Sequence, residues 1–168
     1  VSDAAALVQA LELEDYDLVG FSLGARTAAR AVIAGLAPRR LVLSGMGLEG
    51  LAGWDTRAQF FIDAIDRFDE IRHGDPAFYT VSFMKTQKVD RVAARLLLGT
   101  MEDSSPGELA TIEIPTMILC GEDDRDNGSP EKLAETLPHG HHVAIPGSHM
   151  SSVTESALGE ALVEFLGG

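Results

Sequence analysis

A serine, an aspartate and a histidine stand in this chain where they could carry out acyl transfer. Ser22 lies in Gly20-Phe21-Ser22-Leu23-Gly24, Asp124 in Gly121-Glu122-Asp123-Asp124, and His149 in Pro146-Gly147-Ser148-His149. A serine hydroxyl is inert until a neighbouring imidazole takes its proton. A carboxylate then fixes the tautomer of the ring and steadies its charge. The serine segment follows an apolar run, Tyr16 to Val19, and precedes small residues from Ala25 to Ala34. That order reads as strand, sharp turn and helix, the nucleophile elbow G-x-S-x-G. So tight a turn brings the flanks of the serine close to backbone and calls for glycine at both. The backbone N–H of Leu23, next after the serine, is the expected oxyanion donor. The hydroxyl would sit at the positive end of the following helix, which favours developing negative charge. The five-residue pattern alone arises by chance about 0.1 times in a chain of this composition. Its weight therefore depends on the elements around it.

Those elements alternate. Residues 3–13 read as a helix with Leu7, Val8 and Leu11 on one side, and 16–20 as a short buried strand. A helix follows over 23–36, stopped by Pro38. Leu41-Val42-Leu43 is a second strand, and Pro115 to Cys120 a third. Ser129-Pro130 opens a helix that runs to Leu137, with serine as N-cap and proline in the first turn. Val143-Ala144-Ile145 is a fourth strand, broken by Pro146-Gly147. Ser152 and Glu155 have capping-box spacing. The last helix would bury Ala157, Leu158, Ala161, Leu162, Phe165 and Leu166. Strands alternating with helices mean a parallel sheet with helices on its faces, and ligands bind at the carboxyl ends of such strands. Ser22, Asp124 and His149 all fall there.

The segment 47–110 breaks the rhythm. It holds most of the aromatic residues and has helical spacing in Phe60/Ala64/Ile65/Phe68 and Val89/Val92/Ala93/Leu96. It reads as a helical cap inserted after the second strand, with 1–46 and 111–168 forming the α/β core. The bland reading is an insertion with its own small core. The functional one is a lid whose aromatics line an apolar pocket, with Phe21, Met46, Trp54, Phe60, Phe61 and Phe83 as candidate lining residues.

Composition excludes other classes. The net charge of −13 argues against nucleic acid and anionic membrane as partners. Cys120 is the single cysteine, so no internal disulfide can form. A reducing, cytoplasmic setting is the expectation, since neither a membrane-length apolar run nor a basic-then-apolar leader is seen. No metal and no cofactor are implied. The loop Asp123 to Gly128 hints at calcium, but an EF-hand would need ligands where Arg125 and Ala134 stand.

The chain resembles the α/β-hydrolase superfamily from the helix before the elbow to its end. Three stretches carry the likeness: Gly20 to Gly24, Pro115 to Asp124, and Ile145 to His149. The chain order Ser, Asp, His is that of the superfamily. The resemblance implies an α/β-hydrolase fold and a serine hydrolase acting on a small apolar ester or related acyl substrate. Ser22 would be nucleophile, His149 general base and Asp124 its orienting acid. Superfamily spacing favours Asp124 over Asp123 and Asp126, while Glu49 comes several residues too late after the second strand. His139, His141 and His142 open the fourth strand at the end away from Ser22 and read as loop histidines. His73 reads as a surface residue and Cys120 as a buried one. The superfamily's earlier strands, with a second oxyanion donor, would precede Val1. Two expectations follow: an unpaired strand edge at 16–20 that another copy of the chain could cover, and a rival reading as a non-catalytic or impaired fragment that binds a ligand or partner chain.

Overall fold

The computed structural model describes residues 1–168, with the side chains of all but Asp55 and Thr56. Four apolar runs form the strands β1 (Leu18–Phe21), β2 (Leu41–Ser44), β3 (Thr116–Gly121) and β4 (Gly140–Ile145). They make one parallel sheet in the order β1-β2-β3-β4. The helices are α1 (Ser2–Ala10), α2 (Leu23–Ile33), α3 (Leu48–Ala52), α4 (Trp54–Asp66), α5 (Phe78–Thr86), α6 (Arg91–Gly99), α7 (Pro106–Leu109), α8 (Pro130–Thr136) and α9 (Ser156–Gly167). The chain divides into two compact units. The sheet unit is Val1–Ala52 with Ser104–Gly168, and the helical unit is Gly53–Asp103.

In the sheet unit, the central strands β2 and β3 are buried along their whole length because both of their faces are covered, whereas β1 and β4 at the edges are only partly buried. Leu41, Leu43, Ile118 and Cys120 pack with Ala25, Ala28 and Ala29 of α2 and Leu133 of α8. Val42, Met117, Leu119 and Ile145 point the other way, against half-buried Ala157, Leu158, Ala161, Leu162, Phe165 and Leu166 of α9. The side-chain period of two explains this split of Leu41 and Leu43 from Val42.

Several boundaries differ from expectation for local reasons. Helix α1 stops at Ala10 and buries no residue, leaving Leu7 and Leu11 59% and 58% exposed. Helix α2 ends before Pro38 acts on it. The N–H groups of Gly35 and Leu36 turn back to the carbonyls of Val32 and Ala31, a Schellman closure. Strand β4 begins at Gly140 because His141 and His142 join the ladder opposite Met117 and Ile118. The expected Ser152–Glu155 capping box is absent. Ser152–Thr154 form a single 3-10 turn, and Glu155 precedes α9 without a side-chain cap bond. The capping box of this chain is Ser105 with Glu108, at the start of α7. The N-cap at Ser129 forms as expected, accepting from the N–H of Lys132 at 3.1 Å. Strand β1 lies at the sheet edge, pairing with β2 alone among the described residues, and Val19 is half exposed.

The helical unit has its own core of Ala64, Ile65, Ile71, Ala77, Val81 and Met84, joined by Phe68, Phe78, Val89, Ala94 and Leu98. Helix α4 turns Ala64 and Ile65 inward, and Phe68 packs on them from just beyond its end, but Phe60, the first residue of the expected stripe, is exposed. Helix α6 also departs from its expected stripe, since Val92 and Leu96 are exposed. Only Ala94 and Leu98 of α6 reach the core, flanked by half-exposed Arg91 and Arg95, the four spaced i, i+3, i+4, i+7. The arginines reach Asp69 at 3.2 Å and Asp66 at 2.9 Å, and the Arg91 guanidinium lies 4.6 Å from the centre of the Phe68 ring. Counting only apolar residues misses the arginine stems beside them. Among the described residues, no helix is long and apolar enough to cross a membrane.

Candidate active site

Ser22 sits where β1 turns into α2, with φ 52° and ψ −114°. Its N–H donates to the carbonyl of Ser44 at 2.8 Å, continuing the ladder, and its own carbonyl accepts from Arg26 N–H to begin the helix. A non-glycine residue held there costs roughly 1–3 kcal/mol, so the surroundings must impose it. Gly20 is part of that imposition. A Cβ at Gly20 would lie 2.3 Å from the carbonyl oxygen of Gly24. Gly24 differs from expectation, because a Cβ there would meet nothing within 4 Å. Only the first glycine of the elbow is sterically required.

Asp124 and His149 leave the ends of β3 and β4, which are bridged by Glu122 N–H to Ile145 O (2.8 Å) and Asp123 N–H to Gly147 O (3.0 Å). The bridge brings the two loops together over Ser22. Asp124 is buried; Oδ1 accepts the N–H of Asp126 at 3.0 Å, and Oδ2 lies 2.8 Å from His149 Nδ1. His149 Nε2 lies 3.0 Å from Ser22 Oγ. Burial opposes ionisation of the Asp124 carboxyl. The hydrogen bond to His149, the Asp126 N–H and the charges of His149 and Arg125 outweigh it and hold the carboxyl below its ordinary value. A carboxylate only accepts, so the ring proton belongs on Nδ1, leaving the Nε2 lone pair for the serine hydroxyl.

That shift has a stability consequence. Between the folded and ordinary pKa values the unfolded chain binds more protons at this carboxyl, so stability rises with pH there. The Asp124 contribution is whole above pH ~4 and is lost as the pH falls through the folded value. The gap in unfolding free energy between wild type and Asp124→Asn should therefore narrow as denaturant curves are taken below about pH 4. Curves that stay parallel at every pH would contradict this.

The alpha/beta hydrolase family model matches residues 1–164. The chain belongs to that family. Among solved structures, an esterase from Exiguobacterium antarcticum, EaEST, is 18% identical with a TM-score of 0.70, over 99% of this chain and 72% of its own. A bromoperoxidase from Bacillus anthracis is 21% identical with a TM-score of 0.70, over 99% and 72%. An enol-lactonase from Burkholderia xenovorans LB400 is 19% identical with a TM-score of 0.60, over 99% and 71%. At these identities the likeness is one of fold. No curated protein matches the chain at a significant level.

The remaining candidates have different surroundings, and Met46, expected to line a pocket, is a core residue instead. Leu23 opens α2, so its N–H has no acceptor within the helix. Phe21 stacks on the imidazole of His149, ring centroids 5.0 Å apart at 30°. Met46 is 3% exposed and belongs to the core beneath the sheet, its carbonyl 3.5 Å from Cys120 Sγ. Burial pushes the Cys120 thiol up to about 11, so it stays protonated at neutral pH. In the helical unit, Trp54 stacks on Phe61 at 5.9 Å, Phe60 meets Phe61 edge-on at 5.4 Å, and Phe83 is half exposed on α5.

Asp123 is exposed, and Glu49 accepts the N–H of Ser129 at 2.8 Å. His141 and His142 face opposite sides of β4, one on Phe165 and the other 3.6 Å from Glu131, so they do not converge. The ligand atoms of Asp124, Asp126 and His149 do converge, within 4.8 Å of one another. A cation held there would have to displace the hydrogen bond between His149 and Asp124.

Two residues that tie together the segments around these candidates were not singled out from the sequence. Arg26 is 4% exposed and donates to the Gly50 carbonyl at 2.6 Å, holding α3 against α2. Its signal was an arginine on the alanine-rich buried stripe of a helix. Asn127 donates to the Gly45 carbonyl. Nothing in the local sequence distinguishes it from its loop neighbours.

Proposed function

We propose that this chain is a serine hydrolase that cleaves a carboxylic ester or related acyl substrate. One observation carries the reading: the unbroken sequence of contacts from Ser22 Oγ through His149 to the buried carboxylate of Asp124, at 3.0 and 2.8 Å. Family membership and the ester chemistry named for the esterase and enol-lactonase relatives agree with it.

The steps follow from the geometry. Ser22 Oγ attacks the carbonyl carbon as its proton passes to His149 Nε2, giving a tetrahedral oxyanion that accepts from Leu23 N–H. The intermediate collapses to an acyl-serine, and the leaving alcohol takes the proton from Nε2. Water then repeats the sequence, losing its proton to His149 and releasing the acid and free Ser22. Asp124 keeps its negative charge throughout and balances the imidazolium.

The substrate group next to the hydroxyl is uncharged and apolar in this reading. Leu23 and Met150, adjoining Ser22 and His149 in the chain, expose apolar side chains at 45% and 57%. A fluorophosphonate probe should label wild type at Ser22 and leave Ser22→Ala unlabelled. With p-nitrophenyl esters, kcat/KM should rise as the acyl chain lengthens, each buried methylene contributing at most about 0.8 kcal/mol. No labelling of the wild type would favour a binding protein without turnover, and a flat chain-length series would remove the apolar preference.

A further inference from the structure

The loop that supplies Asp124 runs on to Asn127, and Asn127 reaches back across the sheet. Its side-chain amide donates to the carbonyl of Gly45 at 2.8 Å. Its backbone carbonyl accepts the N–H of Gly50 at 2.9 Å. One residue thus ties the acid loop both to the turn that follows β2 and to helix α3 beyond it. Gly45 is the first residue of that turn, with φ 61°, and a Cβ on it would lie 2.7 Å from Phe21 Cε2 and 3.1 Å from His149 Cε1. The Gly45 N–H is committed to the carbonyl of Leu119 at 3.0 Å, a continuation of the ladder. The imidazole is therefore held on three sides: Asp124 holds Nδ1, Ser22 faces Nε2, and the Phe21 ring lies against its face. Gly45 lies beside the fourth, where its lack of a Cβ leaves room for Cε1. Asp124 and Asn127 belong to one short loop, so that loop acts on the ring directly through the carboxylate and indirectly through Gly45.

We propose that Asn127 is a positioning residue for the reaction proposed above, setting the plane of the His149 ring against Ser22 by holding Gly45. The inference rests on that reading for its kinetic part only. The side-chain amide is the element at issue, since the bond from Gly50 N–H goes to the backbone carbonyl of Asn127 and does not use its side chain. A loop held only for stability would affect unfolding; a loop that aims the ring affects the rate at each folded site. Misplacing a catalytic group by about 1 Å can cost on the order of 10²-fold in rate.

The test uses Asn127→Ala and the isosteric Asn127→Asp, which keeps the shape but loses the donor. For each folded variant, kcat and the fluorophosphonate labelling rate per reactive serine should fall by roughly 10- to 100-fold with KM unchanged. In histidine-labelled protein, the Nδ1–H resonance of His149, assigned by its loss in His149→Gln, should shift or broaden in both variants. If Asn127→Ala does not fold, Asn127→Asp decides. A lowered unfolding midpoint with wild-type kcat, labelling rate and His149 resonance would overturn the proposal. If wild type itself is never labelled, the hydrolase reading fails alone. The resonance then still decides: displacement in the variants supports the positioning role, and an unmoved signal overturns it.

Discussion

Replacing Ser22 by alanine should lower kcat for ester hydrolysis on the order of 10⁴-fold or more, and replacing His149 should cost about as much. The double variant should lose hardly more than either single one. The reason lies in the shared proton. With Oγ gone, Nε2 has nothing to deprotonate. With the ring gone, the hydroxyl stays protonated and inert, so each loss makes the other redundant. Additive losses would mean two independent contributions, which a hydrogen-bonded pair 3.0 Å apart cannot supply. Steady-state kinetics on a p-nitrophenyl ester, with active-site titration to count competent molecules, measures this. Unchanged hydrolysis by Ser22→Ala would remove Ser22 from the nucleophile's role. It would leave the family assignment standing, since that rests on the match over residues 1–164.

The sheet was legible because its central strands are short apolar runs buried on both faces, and because residue types able to do acyl-transfer chemistry stand after the strand ends. That pattern located Ser22, Asp124 and His149 and set their order. What was not legible depends on contacts between distant segments. On α6 only Ala94 and Leu98 reach the core, flanked by half-exposed Arg91 and Arg95, whose partners Asp69 and Asp66 lie elsewhere in the helical unit. The link from Asn127 to Gly45 spans 82 positions and involves a loop residue of ordinary type. Ser152 and Glu155 have the right spacing for a capping box, yet Ser152 is drawn into the histidine loop instead, its N–H donating to the Ser148 carbonyl at 3.0 Å. Phe21 was read as a pocket wall because it is aromatic beside the serine. The structure stacks it on the imidazole, a contact made by the loop after β4, which carries His149 back over β3 and β2 to the end of β1.

The two glycines of the elbow should respond differently to alanine, although the motif treats them alike. At Gly20 the new methyl would lie 2.3 Å from Gly24 O and 2.6 Å from Ala25 N, both backbone atoms that no rotamer change can move. Relief requires α2 to lift from β1, and Ser22 lies on the connection between them. Such overpacking costs about 1–3 kcal/mol in stability. The displaced serine should also lose up to about 10²-fold in reactivity per folded molecule, because its distance to His149 Nε2 is set by the same turn. At Gly24 the methyl would enter open space on the first turn of a helix. Alanine there should be neutral or stabilising by at most about 1 kcal/mol, since glycine is the poorer helix former. Denaturant unfolding of Gly20→Ala and Gly24→Ala, with the fluorophosphonate labelling rate of each, separates the two. Equal losses from both substitutions would show that the elbow needs its second glycine for a reason other than the packing of β1 against α2.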